Sequence, residues 1–218
     1  MNDINKIFRY LENWKDGSVI LKSCKTLMVC PTNMRNELYK LIETEIKHAK
    51  AGKPAGIILK VNSLSDANLI DKLYAAGAAG VKIEMIVRGI FCAEIDKKKF
   101  KQPVKAISIV DEYLEHSRVM IFHNAGNQKV YISSADWMVR NLNHRVEAAV
   151  PITNPELKQE IIDIIHIQLN DNVKARILNS ELANNYVPFT GKKKVRSQIE
   201  TYHYLFRKNN IKSEASSN

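Results

Sequence analysis

Short apolar segments alternate with longer amphipathic segments along the first half of this 218-residue chain, and that alternation constrains the fold more than any other feature. Residues 26–30 and 57–61 are short, apolar and rich in strand-forming residues. Between them, residues 34–51 place apolar side chains on one helical face, with lysines and glutamates opposite. A strand–helix–strand order of this kind predicts an α/β fold with a mixed sheet flanked by helices.

A second unit of the same kind follows along the chain. Ser65 is expected to cap a helix that closes at Gly77 and Gly80, and residues 81–87 are expected to form the next strand. Two consecutive strand–helix–strand units predict parallel strand pairing with right-handed crossovers. The lysine run at 97–99 then predicts an exposed loop whose charges are solvated.

A hairpin is predicted in the middle of the chain. Residues 118–122 and 129–133 are strand-like, and turn-forming residues at 124–127 separate them. Trp137, just beyond the hairpin, is expected to anchor the core rather than to stack on a base. The sheet is therefore expected to contain antiparallel pairs as well as parallel ones.

Two helices are predicted nearer the C-terminus. Asn154 caps the first of them, and Pro155 suits its opening turn. Its inward side chains are expected to be Leu157, Ile161, Ile164 and Ile165. The second helix is expected to follow residue 196, and residues 209–218 have the character of a frayed tail.

Composition and charge narrow the class of partner. The chain is 45% hydrophobic and 26% charged, as expected of a globular protein, and its formal net charge is +10. Such a charge favours a polyanionic partner: a nucleic acid, an acidic membrane surface, a nucleotide or polyphosphate. No apolar run approaches the roughly 20 residues that span a bilayer, so a cytoplasmic location is expected. The cysteines at 24, 30 and 92 are odd in number and predict buried free thiols.

Chemically versatile side chains concentrate between residues 111 and 147. His116 supplies an imidazole that can exchange protons near neutral pH. A planar arginine side chain can bind two oxygens of one phosphate at the same time. A histidine taken alone is more often a surface polar residue than a catalyst. The neighbours of His116 favour phosphoryl chemistry. They are Arg118, Arg140 and Arg145, the hydroxyls of Ser133 and Ser134, and the carboxylates of Asp136 and Glu147.

The order of these residues resembles the half-site of phospholipase D-type enzymes. His116 and Arg118 stand where that pattern has a His-x-Lys pair. Residues 133–136 stand at its Gly-Ser-x-Asn turn, and Glu147 stands at its later carboxylate. Arginine in place of lysine, and Asp136 in place of asparagine, count against a phosphodiesterase. A relative with different chemistry is the better interpretation.

The closer resemblance within that superfamily is to the polyphosphate kinases. Their C-terminal signatures are matched by Tyr113-Leu-Glu-His-Ser-Arg118, Tyr131-Ile-Ser-Ser-Ala-Asp-Trp-Met138, Arg145-Val-Glu147 and Val87-Arg-Gly89. Further matches extend from residue 27 to residue 176. Because these motifs run nearly end to end, the resemblance is specific.

The resemblance implies a phospholipase D-like fold and an activity. Polyphosphate kinases transfer the terminal phosphate of ATP reversibly to polyphosphate through a phosphohistidine, which forms in a preceding domain. By motif, Arg88 and Arg145 match phosphate-binding arginines of the family. His116 matches a second active-site histidine that binds ATP, and Arg118 is expected to bind ATP or phosphate beside it. Mg²⁺ is the expected cofactor, without a protein metal site. Glu147 is our hypothesis for the group that orients His116.

The resemblance also implies boundaries and partners. Residues 1–25 resemble the end of the preceding domain, residues 26–208 form the catalytic domain, and residues 209–218 form a disordered tail. The expected partners are ATP or ADP, polyphosphate, the N-terminal half of the kinase and further copies of the chain. Lysines at 192–194 are expected either to line a polyphosphate channel or to be solvated.

Two other functions stay open from the sequence alone: a phospholipase D-type phosphodiesterase and a non-catalytic module that binds polyanions. The kinase is preferred because the motifs around His116 and Asp136 occur together. This chain is not expected to complete the reaction by itself, since the phosphohistidine belongs to another domain. No specific nucleic acid partner and at most peripheral membrane association are expected.

Overall fold

One mixed sheet organises the computed structural model, which describes residues 2–12, 18–181, 183–191 and 193–215. Within these residues the sheet has eight strands. They are β1 (Met28–Cys30), β2 (Gly56–Val61), β3 (Lys82–Val87), β4 (Lys105–Ile109), β5 (Arg118–Phe122), β6 (Lys129–Ser133), β7 (Glu147–Pro151) and β8 (Ala175–Ile177). Their order across the sheet is β1-β7-β6-β5-β2-β3-β4-β8. The predicted mixed sheet is confirmed.

Helices flank this sheet in the same part of the chain. They are α1 (Asn2–Glu12), α2 (Ser18–Lys22), α3 (Met34–Lys50), α4 (Ala67–Ala79), α5 (Val139–His144), α6 (Pro155–Leu169) and α7 (Ser197–Ala215). None of these described helices is both long and apolar enough to cross a membrane.

The centre of the sheet confirms one of the two predicted parallel pairings. β2 and β3 are joined by α4 and pair in parallel, with Val61 opposite Val87. β1 runs in the same direction as β2 but pairs antiparallel with β7, so that pairing prediction is wrong. The reason is that the antiparallel hairpin of β5 and β6 occupies the place beside β2.

Apolar layers cover both faces of the sheet. Successive side chains of a strand point to opposite faces, so β2 serves both layers. Leu59 packs in the core with Leu38 of α3 and Leu73 of α4. Ile58 packs on the other face, in the core that includes Ile165 of α6. The helices α3 and α4 therefore lie on one face and α6 on the other.

The ends of α4 follow local rules, with one correction. Asp66, not Ser65, caps the helix, because its carboxylate accepts a hydrogen bond from the backbone N–H of Leu69 at 3.1 Å. A carboxylate satisfies a free N–H of the first turn as well as a hydroxyl does. Gly80 ends the helix with a φ of 102°, a left-handed conformation that suits glycine, whereas Gly77 lies inside the helix.

The helix α6 begins as predicted but packs differently. The side chain of Asn154 accepts a hydrogen bond from the backbone N–H of Leu157 at 3.0 Å. Leu157 itself is 54% exposed, so its predicted inward position is wrong. Ile165 is buried as predicted, and Ile161 packs partly against the same core. Ile162 is buried as well, because the second half of the helix is the part that packs on the sheet.

Three strands escape the sequence patterns: β4, β7 and β8. β8 has three residues, and each of the three strands has one partner that is distant in the sequence, because β7 pairs with β1 and β4 pairs with β8. Local periodicity carries no information on such distant pairing, and it is weak evidence for a strand of three residues. The hairpin of β5 and β6, by contrast, has the predicted bounds and turn.

Several single-residue predictions are also resolved. Trp137 is buried in the core, as expected. Cys24 and Cys30 are buried free thiols, but Cys92 is exposed, because it lies in the irregular segment after β3. Residues 209–215 continue α7 where a tail is expected, and residues 216–218 lie outside the described residues.

Candidate active site

The chemically versatile residues meet at one edge of the sheet. β2 and β3 end at this edge, and the antiparallel strands β5 and β7 begin there. The topology therefore brings together Asn62 after β2, Arg88 after β3, His116 before β5 and Glu147 at the start of β7. We call this edge the site edge. Ligand sites commonly form outside the carboxyl ends of parallel strands.

Arg88 joins two of these elements. Its Nε and Nη2 atoms donate to Asn62 Oδ1 at 2.8 and 2.5 Å, and Nη2 lies 3.2 Å from His116 Nδ1. The two strand ends approach closely, because the backbone N–H of Gly89 donates to the Asn62 carbonyl at 2.8 Å. A Cβ atom at Gly89 would lie 3.0 Å from that carbonyl oxygen. Glycine is therefore the residue that lets Asn62 reach Arg88.

This contact fixes the roles of the nitrogens of His116. A guanidinium carries hydrogen-bond donors and no acceptor. His116 Nδ1 is therefore the acceptor from Arg88, and in the neutral ring the proton lies on Nε2. The His116 side chain is exposed, so Nε2–H is accessible as a donor to an incoming oxygen.

Arg118 also contacts His116, but it lies in a different environment. Its Nε and Nη2 atoms donate to the two carboxylate oxygens of Asp136 at 3.1 and 3.0 Å. Its Nη1 atom donates to the backbone carbonyl of His116 at 2.8 Å. Both side chains of this ion pair are largely buried. Arg118 thus fixes the backbone at His116, and all three of its nitrogen donors have protein partners.

Asp136 binds backbone as well as Arg118. Its Oδ1 atom accepts from the backbone N–H groups of Asn62 at 2.7 Å and Ser63 at 3.1 Å. Burial raises the pKa of this carboxyl, but the Arg118 guanidinium and the two backbone N–H groups outweigh it and lower the pKa below its usual range. Asp136 is therefore a charged connector between β2 and β5.

A second buried ion pair lies beneath His116. Lys60 Nζ is 2.5 Å from Glu115 Oε2, and Lys60 is 5% exposed. Gln168 Nε2 donates to the same carboxylate oxygen at 2.8 Å. Burial lowers the pKa of Lys60; Glu115 opposes this shift, and the positive charge of Arg88 adds to it. Lys60 therefore lies close enough to Arg88 for their charges to interact.

Glu147 has partners other than His116. Its Oε1 atom accepts from Asn141 Nδ2 at 2.7 Å, and its Oε2 atom accepts a short hydrogen bond from the Ser134 hydroxyl. The half-exposed Arg145 approaches Glu147 at 4.0 Å. No hydrogen bond within the described residues joins Glu147 to His116. The structure therefore groups Glu147 with Arg145, and it groups His116 with Arg88 and Arg118.

An open cleft of about 420 Å³ borders His116. Lys60 and Gln168 line its floor, and Tyr113 and Leu114 line its rim. A larger cavity of about 430 Å³ between β1 and α3 includes Lys40 and lies away from His116. The cleft beside His116 is therefore the cavity that adjoins the candidate site.

Within the described residues, no hydrogen bond or ion pair joins either lysine run to His116. The run at 97–99 lies beside Tyr74 of α4, where Lys97 pairs with Glu94 at 2.7 Å, as suits a solvated surface loop. Lys193 pairs with Glu200 at 2.9 Å, and Lys192 lies outside the described residues. A polyphosphate channel along residues 192–194 stays a prediction.

Metal ligation by the protein finds no support in the described part of the chain. No group of three or more His, Cys, Asp or Glu residues there is placed to hold a metal ion. The carboxylates nearest His116, which belong to Glu115 and Asp136, already accept two or more hydrogen bonds each. Mg²⁺ is therefore not assigned to a set of protein ligands.

Comparison with known proteins decides the family. Residues 27–198 match the family model described as "Polyphosphate kinase C-terminal domain 2". The chain belongs to this family. The polyphosphate kinase of Vibrio parahaemolyticus is 48% identical over 204 residues, which are 94% of this chain and 29% of that protein. This member of the polyphosphate kinase family thus spans less than a third of the length of that curated relative.

Solved structures support the same fold. The crystal structure of a polyphosphate kinase from Porphyromonas gingivalis superposes with a TM-score of 0.89 at 43% identity, over 96% of this chain and 32% of that one. A phospholipase D family member, Nuc from Salmonella typhimurium, superposes with a TM-score of 0.51 at 15% identity, over 71% of this chain and 97% of that one. The second likeness confirms the phospholipase D-like fold.

The polar partners of the site residues were not identified by sequence reasoning. Arg88 lies 26 residues from Asn62, and Glu115 lies 53 residues from Gln168. The first pairing has a signal, because Asn62 and Arg88 directly follow two strands that were predicted to be parallel. The second pairing has none, since a lone glutamine in an amphipathic helix is indistinguishable from a solvent-facing one.

Proposed function

We propose that this domain is the C-terminal catalytic part of a polyphosphate kinase, and that it binds the phosphates of ATP and polyphosphate at Arg88 and His116. The whole enzyme would transfer the terminal phosphate of ATP reversibly to polyphosphate through a phosphohistidine. The observation that carries the proposal is the 3.2 Å contact between Arg88 Nη2 and His116 Nδ1 at an exposed edge of the sheet.

Arg88 is suited to an anion because its protein partner is neutral. Asn62 orients the guanidinium through Nε and Nη2 without cancelling its charge. The remaining Nη1 donors of Arg88 point to no partner within the described hydrogen bonds. A phosphate oxygen could therefore receive Nη1–H together with Nε2–H of His116. Charge-assisted hydrogen bonds of this kind are the strong ones in phosphate recognition.

His116 would also supply a proton. In the neutral ring its Nε2–H faces solvent, while Arg88 occupies Nδ1. Phosphoryl transfer depends mainly on positioning and on cationic stabilisation of charge on the transferred group. Nε2–H can donate to a phosphate oxygen, and Arg88 can stabilise the developing charge. Arg145, half exposed at the same edge, would contact a further phosphate.

The histidine that carries phosphate would come from outside this chain. The relatives extend far beyond the matched region, since this chain covers 29% of their length. A working kinase is proposed to need a phosphohistidine domain that faces the site edge. Mg²⁺ would arrive with the nucleotide, because this ion is commonly held by substrate phosphates and few carboxylates. Cytoplasmic location and homo-oligomers are part of the same proposal.

The test is a reconstitution. ATP-dependent polyphosphate formation is measured with this chain alone, with the remaining N-terminal portion of a polyphosphate kinase, and with both together. We expect activity from the mixture, its loss with His116→Ala, and its retention with His166→Ala, an exposed histidine of α6. Activity of the chain alone would contradict the need for a second domain. Anion binding without activity in the mixture would favour a non-catalytic module.

A further inference from the structure

His116 stands at the end of a loop that has no apolar anchor. Residues 110–117 connect β4 to β5, and none of them is buried. Val110 and Tyr113 are each 66% exposed and Leu114 is 77% exposed. Apolar side chains normally fix a loop by packing into a core. The conformation of this loop therefore depends on polar contacts.

Gln198, in the first turn of α7, supplies such contacts at the middle of the loop. Its Oε1 atom accepts from the backbone N–H of Tyr113 at 3.0 Å, and its Nε2 atom donates to the backbone carbonyl of Tyr113 at 2.8 Å. Nε2 also lies 3.3 Å from Glu115 Oε1. A side-chain amide has both a donor and an acceptor, so it can satisfy both backbone groups of one residue.

Neighbouring contacts hold the two ends of the same loop. Arg196 donates to both carboxylate oxygens of Asp111 at 2.8 Å each, which fixes the beginning. Lys60 and Gln168 hold the Oε2 atom of Glu115, which fixes the end. Gln198 contacts Tyr113, which lies between these two anchors, and also Glu115, which is the second anchor.

We propose that Gln198 is a positioning residue for His116. It holds the loop through Tyr113 and Glu115, and it thereby keeps the ring of His116 against Arg88. This role rests on the proposed function of the His116–Arg88 pair, which the amide itself does not touch. It would make the start of α7 part of the active-site architecture, although α7 lies 85 residues away from Tyr113 in sequence.

Two variants of the 218-residue chain test this role. Gln198→Ala removes all three contacts. Gln198→Glu retains the acceptor for Tyr113 N–H but loses the donor and faces the carboxylate of Glu115. Gln159→Ala is the matched control, because Gln159 is an exposed glutamine of α6 whose hydrogen bond goes to Asp163 on the same helix.

The readouts are amide hydrogen exchange of residues 113–116, ring ¹⁵N signals of His116 by NMR, and affinity for tripolyphosphate. We expect both Gln198 variants to speed exchange in this segment about tenfold, because each loses the amide donor that contacts the Tyr113 carbonyl and the Glu115 carboxylate. We also expect altered His116 ring signals and a severalfold weaker affinity, while exchange in the β5–β6 hairpin stays unchanged. Gln159→Ala should change none of these.

Wild-type exchange and wild-type His116 ring signals in both Gln198 variants would overturn the positioning role. Failure of the wild-type chain to bind tripolyphosphate would count against the proposed function instead. Exchange and ring signals need no ligand, so they still decide the role of Gln198 in that event.

Discussion

Arg88 and Arg118 both contact His116, and they show how a partner decides the use of an arginine. Arg118 is largely buried, and it forms a paired ion contact with Asp136 and a third hydrogen bond with the His116 carbonyl. Arg88 is oriented instead by the neutral amide of Asn62, whose oxygen accepts from two of its nitrogens. The first arrangement neutralises the cation and builds the scaffold. The second leaves the positive charge for a ligand.

The largest effect is expected where the scaffold is broken. Asp136→Ala leaves the Arg118 charge and two backbone N–H groups without their acceptor, so we expect the free energy of unfolding to fall by about 3–5 kcal/mol. Urea denaturation measures this loss. Asp71→Ala on the exposed face of α4 serves as the control, with a change within about 0.5 kcal/mol. Equal losses in the two variants would contradict a scaffold role.

Removing the other arginine should affect binding rather than folding. Arg88→Ala deletes a charged donor from the site edge, so we expect the affinity for tripolyphosphate to fall roughly 10- to 100-fold, with little loss of stability. Isothermal titration calorimetry at fixed ionic strength measures it. Arg9→Ala, which removes an equal charge from an exposed position of α1, is the control. An equal loss of affinity in the Arg88 variant and in the control would mean that Arg88 contributes only through the net charge of the chain.

A single substitution can make Arg88 resemble Arg118. Asn62→Asp gives the guanidinium a carboxylate partner, so we expect a roughly tenfold loss of tripolyphosphate affinity, intermediate between wild type and Arg88→Ala. Asn68→Asp at the start of α4 adds the same charge elsewhere and should have a smaller effect. Unchanged affinity in Asn62→Asp would remove the distinction between the two arginines.

The ion pair of Arg118 and Asp136 also predicts that the stability of the fold depends on pH. The pKa of Asp136 is lowered in the folded protein relative to its unfolded value of about 4. The stability that the Asp136 carboxylate contributes is therefore fully present above its unfolded pKa, and it is lost as the pH falls through its folded pKa. As the pH falls below about 4, we expect urea midpoints to fall more steeply in the wild type than in Asp136→Asn. Parallel curves would contradict this assignment.

The smallest effect is expected at Glu147. The Glu147 carboxylate accepts hydrogen bonds from Ser134 and Asn141. We therefore expect Glu147→Gln to leave the pH titration of the His116 ring signals unchanged. The titration is followed by NMR on the 218-residue chain. A displaced midpoint would restore the hypothesis that Glu147 orients His116.

The sequence predicts the backbone of this site better than its contacts. The hairpin of β5 and β6 has a clear turn and two strong strands, so the positions of Arg118 and Ser133 follow from local patterns. β7 and β8 do not, because their pairing depends on distant strands. The same limit applies to polar pairs. The sequence predicts His116 and Arg88 as site residues, and the ends of two parallel strands give an indirect signal for the contact between Asn62 and Arg88. The contacts of Gln198 with the loop before His116 have no such signal and become visible only in three dimensions.

The most direct test of the central claim is an NMR titration of the 218-residue chain with tripolyphosphate. The account predicts that the Arg88 guanidinium signals and the His116 ring signals shift together and saturate, whereas the Arg118 side-chain signals move little and the lysines at 97–99 respond only weakly. Shifts confined to the lysine run, or equal shifts of Arg88 and Arg118, would contradict it.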